Sequence, residues 1–192
     1  MAHHGSFLRA FFRNAGSVGA VAPSSEALAN LMVDWLDWDE INSVLEFGPG
    51  TGVFTEAIAK RISHETKLIA IERDEELAEI TRNRCPDVTV RQACVSDAAS
   101  ICREEGIESV DAILCGLPWA AFPEELQNTL LDAMFEVLPR GGKFATFAYW
   151  QGLALPAGQR FRRILREHFS EVKQSPTAWK NLPPAFVYRC VR

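Results

Sequence analysis

Three glycines at every second position, Gly48, Gly50 and Gly52, close the stretch Val44-Leu45-Glu46-Phe47-Gly48-Pro49-Gly50-Thr51-Gly52. The apolar run before them, 41–47, has the length and content of a buried strand, and a helical pattern starts at Val53. A strand that turns on glycines into a helix lets a ligand lie against bare backbone, because no Cβ stands in the way. Twenty residues after Gly52, a second apolar run ends in Glu72. An acid at the tip of the next strand is placed to accept from both hydroxyls of a ribose. The combination points to a nucleoside-type cofactor. The plainer alternative is an ordinary strand-to-helix turn followed by an acid.

The alternation continues along the chain. Strands are expected over 41–47, 67–72, 88–92, 110–115, 143–149, 170–174 and 185–191. Helices are expected over 53–62, 75–84, 98–105, 123–138 and 159–168. Strands separated by helices form right-handed crossovers and a parallel sheet. Before the first strand, Ser24 is a good N-cap, and Leu28, Leu31, Met32, Trp35 and Leu36 share one face of a further helix. Earlier still, 7–15 has an amphipathic pattern. Phe7, Leu8, Phe11, Phe12 and Ala15 line one side, with Arg9 and Arg13 opposite. Such a helix suits a membrane interface, and equally a terminal helix packed on its own domain. Residues 1–6, Met-Ala-His-His-Gly-Ser, read as a tag remnant.

With 192 residues and 47% apolar content, one domain with an ample core is expected over 1–192. Its N-terminal helices, 7–40, would cover the active site or a membrane face, and 41–192 would form the catalytic core. No apolar run reaches the ~18 residues of a membrane span, and arginines interrupt the first apolar stretch as no secretory signal would allow. Five scattered cysteines without Cys-x-x-Cys spacing fit reduced thiols in a cytoplasm. Two histidines outside the tag, His64 and His168, argue against a Cys/His metal site. The net charge of −5 divides unevenly: residues 141–192 carry nine Lys and Arg against two acids, leaving −12 in the first 140. Solvated helix faces would explain that, as would contact with an anionic surface.

Glu46-Phe-Gly48-Pro-Gly50-Thr-Gly52 resembles the first motif of class I S-adenosylmethionine (SAM) methyltransferases. The dinucleotide-binding form has its last glycine one residue later. The resemblance implies a Rossmann-like, seven-stranded, mostly parallel sheet with helices on both faces, an antiparallel last strand and two extra N-terminal helices. It implies SAM as cofactor, held by Glu46, Gly48, Gly50, Thr51, Gly52, Glu72, Arg73, Asp97, Ala98 and Cys115. Within that set the glycine backbone holds the methionine part, Glu72 the ribose and Asp97 the adenine amino group. Asp97 is also placed to be the N-cap of the helix that begins at Ala98.

Ligands bind doubly wound sheets at the carboxyl ends of strands, and the fourth strand ends in Cys115-Gly116-Leu117-Pro118-Trp119. Gly116 and Leu117 would offer carbonyls to an amine, and Trp119 a ring to a cation; a turn with a buried Trp is the alternative. This Gly-Leu-Pro is similar to that of bacterial soluble phospholipid N-methyltransferases, which convert phosphatidylethanolamine towards phosphatidylcholine. Gly19-Ala-Val-Ala-Pro23-Ser24-Ser25 and Asn181-Leu-Pro183-Pro184-Ala-Phe186-Val-Tyr188 are similar to that family too. The resemblance implies catalytic roles for Gly116, Leu117, Pro118 and Trp119, with Tyr149 and Tyr188 as further candidates. It implies an enzyme peripheral to the cytoplasmic membrane face, with an anionic bilayer and its phospholipid as partners. Phe7, Arg9, Phe11, Phe12 and Arg13 would meet the bilayer; Arg160, Arg163 and Lys180 would meet the phosphate. Gly116, where adenine dimethyltransferases of ribosomal RNA carry Asn, and the missing helical RNA-binding domain point away from nucleic acid. A small-amine or ornithine-lipid methyltransferase stays open, as does a SAM-binding module without catalysis. The oligomeric state is not legible.

Overall fold

The computed structural model describes residues 24–192. The expected helix over 7–15, with Phe7, Arg9, Phe11, Phe12 and Arg13, lies outside the described residues. The described chain opens on α1 (Glu26–Val33), capped by Ser25, whose hydroxyl accepts from Leu28 N–H at 3.2 Å. Alternation then runs as expected: β1 (Ser43–Phe47), α2 (Val53–Ala59), β2 (Lys67–Glu72), α3 (Glu75–Arg84), β3 (Thr89–Gln92), α4 (Ala98–Glu104), β4 (Ala112–Cys115), α5 (Glu124–Val137), β5 (Lys143–Tyr149), α6 (Pro156–His168), β6 (Glu171–Gln174) and β7 (Ala185–Val191).

The seven strands form one sheet in the order β3-β2-β1-β4-β5-β7-β6. The first five strands run parallel, and β7 runs antiparallel to both neighbours, wedged between β5 and β6. Strand order reverses between β1 and β4, so the crevice of a doubly wound sheet falls there. Register brings the strand tips level: Phe47 pairs with Ile71 on one side and with Cys115 on the other.

Pleating decides which side chain meets which helix layer. Leu45 and Phe47 point into the core shared with α4, α5 and α6, beside Ile101, Leu130, Met134 and Leu165. Val44 points the other way, into the core with Leu28 and Met32 of α1 and Phe54 and Ile58 of α2. Burying each large aliphatic or Phe side chain contributes about 1.5–3 kcal/mol. Both faces are therefore covered, which accounts for β1 and β4 being buried at every position. No helix among the described residues is long and apolar enough to cross a membrane.

Candidate active site

Each motif glycine after β1 has positive φ: 68° at Gly48, 60° at Gly50 and 79° at Gly52. That backbone is open to glycine at little cost and strained for other residues. The turn is pinned from outside. Gly48 N–H donates to Ile71 O at 3.0 Å, and Thr81 Oγ1 of α3 donates to Gly50 O at 2.9 Å. Glu72, at the tip of β2, is 5% exposed. Its Oε2 accepts from Gly50 N–H at 3.1 Å and its Oε1 from Asp74 N–H at 3.0 Å. Burial pushes its carboxyl above the usual range, opposed by the N–H groups of Asp74, Gly50 and Arg73. Each oxygen keeps a further lone pair for a ligand hydroxyl.

Glu72 walls a groove with Gly48, Ile71, Arg73, Cys94, Val95, Leu117, Phe122, Leu126 and Leu130. An apolar slot beside an acceptor carboxylate fits a flat base and its ribose. Arg73 stands exposed at the lip and Thr51 is half-buried in the turn. Asp97 follows the slot residues Cys94 and Val95 and occupies the N-cap position of α4 without a side-chain cap bond; its carboxylate accepts from Ser96 Oγ at 3.4 Å. Ala98 is fully buried in the core. Cys115 is buried too, with its thiol pushed up to about 12 by desolvation, so it is no thiolate at neutral pH.

Glu46 follows the pleat onto the α1–α2 side and is fully buried, and among the described residues neither carboxyl oxygen has a hydrogen-bond partner. Thr55 of α2 stands beside it, its own hydroxyl equally without a partner among the described residues. Desolvation raises the Glu46 carboxyl to about 8, with the Thr55 contacts opposing and Glu72 adding repulsion. A buried acid without a donor is an acceptor waiting for a cation or an N–H group. The turn, Glu72 and Glu46 together fit SAM, whose amino acid end carries an ammonium group.

At the tip of β4, Gly116 N–H donates to Phe47 O at 2.8 Å. A Cβ on Gly116 would press into the carbonyl oxygen of Gly48, and one on Gly48 into the Leu117 side chain. The two motifs therefore meet backbone to backbone. Beyond them Pro118 and Trp119 wall a cavity of about 190 Å³, completed by Phe147, Tyr149, Leu153, Leu155, Phe161 and Tyr188 with other uncharged residues between; among the described residues no charged side chain lines it. Trp119 is buried, stacked on Phe161 at 4.5 Å and edge-on to Phe122. One face of its ring is thus occupied by protein. Tyr188 is buried, and among the described residues its hydroxyl completes no hydrogen bond, Gln174 standing close. Burial pushes the Tyr149 hydroxyl up to about 12 and raises that of Tyr188, so neither is a base at neutral pH.

One residue escaped the sequence reading. Gln127 of α5 is fully buried. Its amide donates to Trp119 O at 2.6 Å and Ala157 O at 3.2 Å, and its Oε1 accepts from Arg160 Nε at 3.1 Å. It ties the loop after β4 to the start of α6. The signal was present: Gln127 sits in register with Leu130, Leu131 and Met134, a polar residue in an apolar stripe. The same bonds commit Arg160, which also pairs with Glu124 at 3.4 Å. Arg163 pairs with Glu167 at 3.8 Å, and Lys180 is exposed in the loop before β7. The structure does not gather these three cations round one point of the cavity, whose lining includes none of them. Among the described residues no cluster of His, Cys, Asp or Glu is arranged to hold a metal.

A parallel sheet with a reversed β7, a glycine turn after β1 and an acid at the tip of β2 define the class, a Rossmann-like SAM-dependent methyltransferase. The chain belongs to the methyltransferase domain family, whose model matches residues 44–142. It is 33% identical over 187 residues to an ornithine lipid N-methyltransferase of Singulisphaera acidiphila, covering 96% of this chain and 93% of that one. It is 28% identical over 155 residues to an uncharacterised methyltransferase-like protein of Schizosaccharomyces pombe, covering 78% of this chain and 56% of that one. An O-methyltransferase of Bacillus cereus, solved in complex with SAH, shares the fold with a TM-score of 0.66 at 16% identity, over 97% of this chain and 91% of that one. The cofactor is SAM.

Proposed function

We propose that the enzyme methylates a primary amine carried on the head group of a membrane lipid. The observation that carries this reading is the uncharged, aromatic-walled cavity directly beyond Gly116-Leu117-Pro118-Trp119. Bound SAM supplies a methyl group on a positively charged sulfonium, so the acceptor needs only a free nitrogen lone pair. Desolvation in an apolar cavity disfavours the ammonium form, so the acceptor enters as free amine and leaves its proton in water. The Leu117 carbonyl, oriented by the Trp119 N–H at 3.0 Å, keeps a lone pair for an amine N–H. The Gly116 carbonyl offers a second. Trp119, locked on Phe161, excludes water from the line of attack.

An amino-acid head group such as that of an ornithine lipid is the first reading. The relative in Singulisphaera acidiphila bears that name. The pairing of Arg160 and Arg163 with acids also leaves fewer cations for a phosphate. Phosphatidylethanolamine is the second reading, favoured by exposed Lys180 and by the basic charge of residues 141–192. An RNA acceptor is disfavoured because Gly116 has no room for the side chain that would hold adenine.

Labelled SAM incubated with ornithine lipid, phosphatidylethanolamine, ribosomal RNA, free ornithine and ethanolamine tests this. Label is expected in the lipid fraction, ornithine lipid first. Label confined to RNA or to the free amines overturns the lipid reading.

A further inference from the structure

Five large hydrophobic side chains stand exposed among the described residues, and four of them lie on two adjoining segments. Trp150 is 45% and Leu155 48% exposed after β5; Trp179 is 74% and Leu182 64% exposed before β7. Isolated exposed apolar residues are ordinary, but a cluster that includes two tryptophans calls for a partner. The cluster is not a frayed end. Trp150 Nε1 donates to Thr177 Oγ1 at 3.2 Å, and its ring lies 5.0 Å from that of Phe186. Ala178 N–H donates to Ala185 O at 2.7 Å. Between Trp179 and Leu182, Asn181 is 3% exposed, donating to Pro183 O and accepting from Ser25 N–H, each near 2.9 Å. The Asn181 amide of the loop is thus turned inward and bonded, while Trp179, Lys180 and Leu182 are held outward.

The cluster is continuous with the acceptor cavity. Leu155 belongs to both, lining the cavity while half exposed, and Gln151 and Leu153 of the same segment line it as well. We propose that Trp150, Leu155, Trp179 and Leu182 form the face that the enzyme lays on a lipid bilayer, with Lys180 meeting anionic phosphates. The inference rests on the lipid reading and adds where the lipid enters. Indole rings settle at the headgroup boundary, where an apolar body and a polar N–H are both accommodated, and a lysine beside them is attracted to anionic lipid. A protein seated on the same face would cover Leu155 and obstruct the cavity mouth. A bilayer places the substrate at that mouth, so the amine reaches the cavity without its acyl chains crossing water.

The test uses the full chain and its W179S/L182S variant, two exposed positions outside the site. Vesicles are phosphatidylcholine with and without phosphatidylglycerol, carrying ornithine lipid. The variant is expected to lose about tenfold or more in co-sedimentation and in methylation of vesicle lipid. Its melting temperature, SAM affinity and activity on a short-chain soluble analogue should be unchanged. Vesicle binding and turnover equal to the parent overturn the docking face while leaving the lipid reading intact. If the parent itself methylates only soluble amines, the lipid reading fails first. Two rival occupants are read in the same preparation. Concentration-dependent size in gel filtration, lost in the variant, assigns the face to a second copy. An increase in acrylamide quenching of Trp179 on deleting residues 1–23, taken as the difference from the variant, assigns it to that segment; either overturns the proposal.

Discussion

Glu46 is the residue whose environment makes the sharpest demand. Burial raises its carboxyl from the ordinary 4.5 of an unfolded chain to about 8. The folded state therefore holds the proton more tightly, and stability falls as pH climbs from about 4.5 through about 8. The Glu46→Gln variant has no such titration. Scanning fluorimetry without ligand should show the parent losing at least about 4 °C relative to Glu46→Gln between pH 5 and pH 8.5. Parallel curves would mean that the carboxyl is already paired. SAM affinity should rise with pH in the parent as the carboxylate forms opposite a cation, and stay flat in the variant. Gly116 poses a steric demand instead. Gly116→Ala would push the Gly48 carbonyl and with it the cofactor turn. Overpacking of this kind costs about 1–3 kcal/mol. Calorimetry should find SAM binding weakened by roughly that amount; unchanged affinity would show that the two turns part freely.

At the scale of elements, the acceptor wall combines residues of β5 and β7 with the turn after β4, the segment after β5 and α6. Gln127 joins the turn after β4 to α6 by three hydrogen bonds. Gln127→Leu would fit the volume but remove its bonds to Trp119 O, Ala157 O and Arg160 Nε, leaving Trp119 O only the Phe122 N–H at 3.2 Å; a lost buried partner costs about 1–3 kcal/mol. The expected outcome is a kcat lowered by tenfold or more with SAM affinity kept, because the glycine turn is untouched. Equal loss of both would make Gln127 a general packing residue. The segment over 7–15 belongs to this scale as well. Deleting residues 1–15 should lower turnover of vesicle lipid more than turnover of a soluble analogue, since the Phe7/Phe11/Phe12 face and Arg9/Arg13 are suited to a headgroup boundary. Equal turnover of both by the deletion would remove the segment from membrane contact.

Across the whole molecule, charge and shape act together. The basic residues of 141–192 fall on the half that carries α6, β6, β7 and the exposed tryptophans, while the acidic excess lies in the first 140. Several basic residues are spent in exposed ion pairs, such as Lys173 with Glu171 and Arg163 with Glu167. Such pairs contribute about 0–1 kcal/mol and give way to a competing anionic surface. Vesicle binding should then fall as salt rises past physiological strength, where screening acts within about 8 Å. A salt-independent association would leave the apolar rim as the whole of the attraction.

The order of strands and helices was legible in the sequence because it rests on interactions between near neighbours: period-two and period-3.6 apolar patterns and glycines at positive φ; the cap of α1 was read one residue early, at Ser24, where the structure uses Ser25. So were the glycine turn, Glu72 and the Gly-Leu-Pro-Trp turn, each carried by one short stretch. What needed the tertiary structure joins residues far apart in the chain. The pleat alone puts Glu46 on the α2 side, and only packing then denies it a partner. Gly116 is glycine because Gly48, 68 positions earlier, passes against it. Arg160 reads in the sequence as a free cation and is bound to Gln127 and Glu124. The exposed face of Trp150 and Trp179 has no periodic signature, since two loops from either side of β6 make it. Local backbone preference is written residue by residue along the chain, whereas burial, pairing and exposure depend on which distant segments the folded sheet brings together.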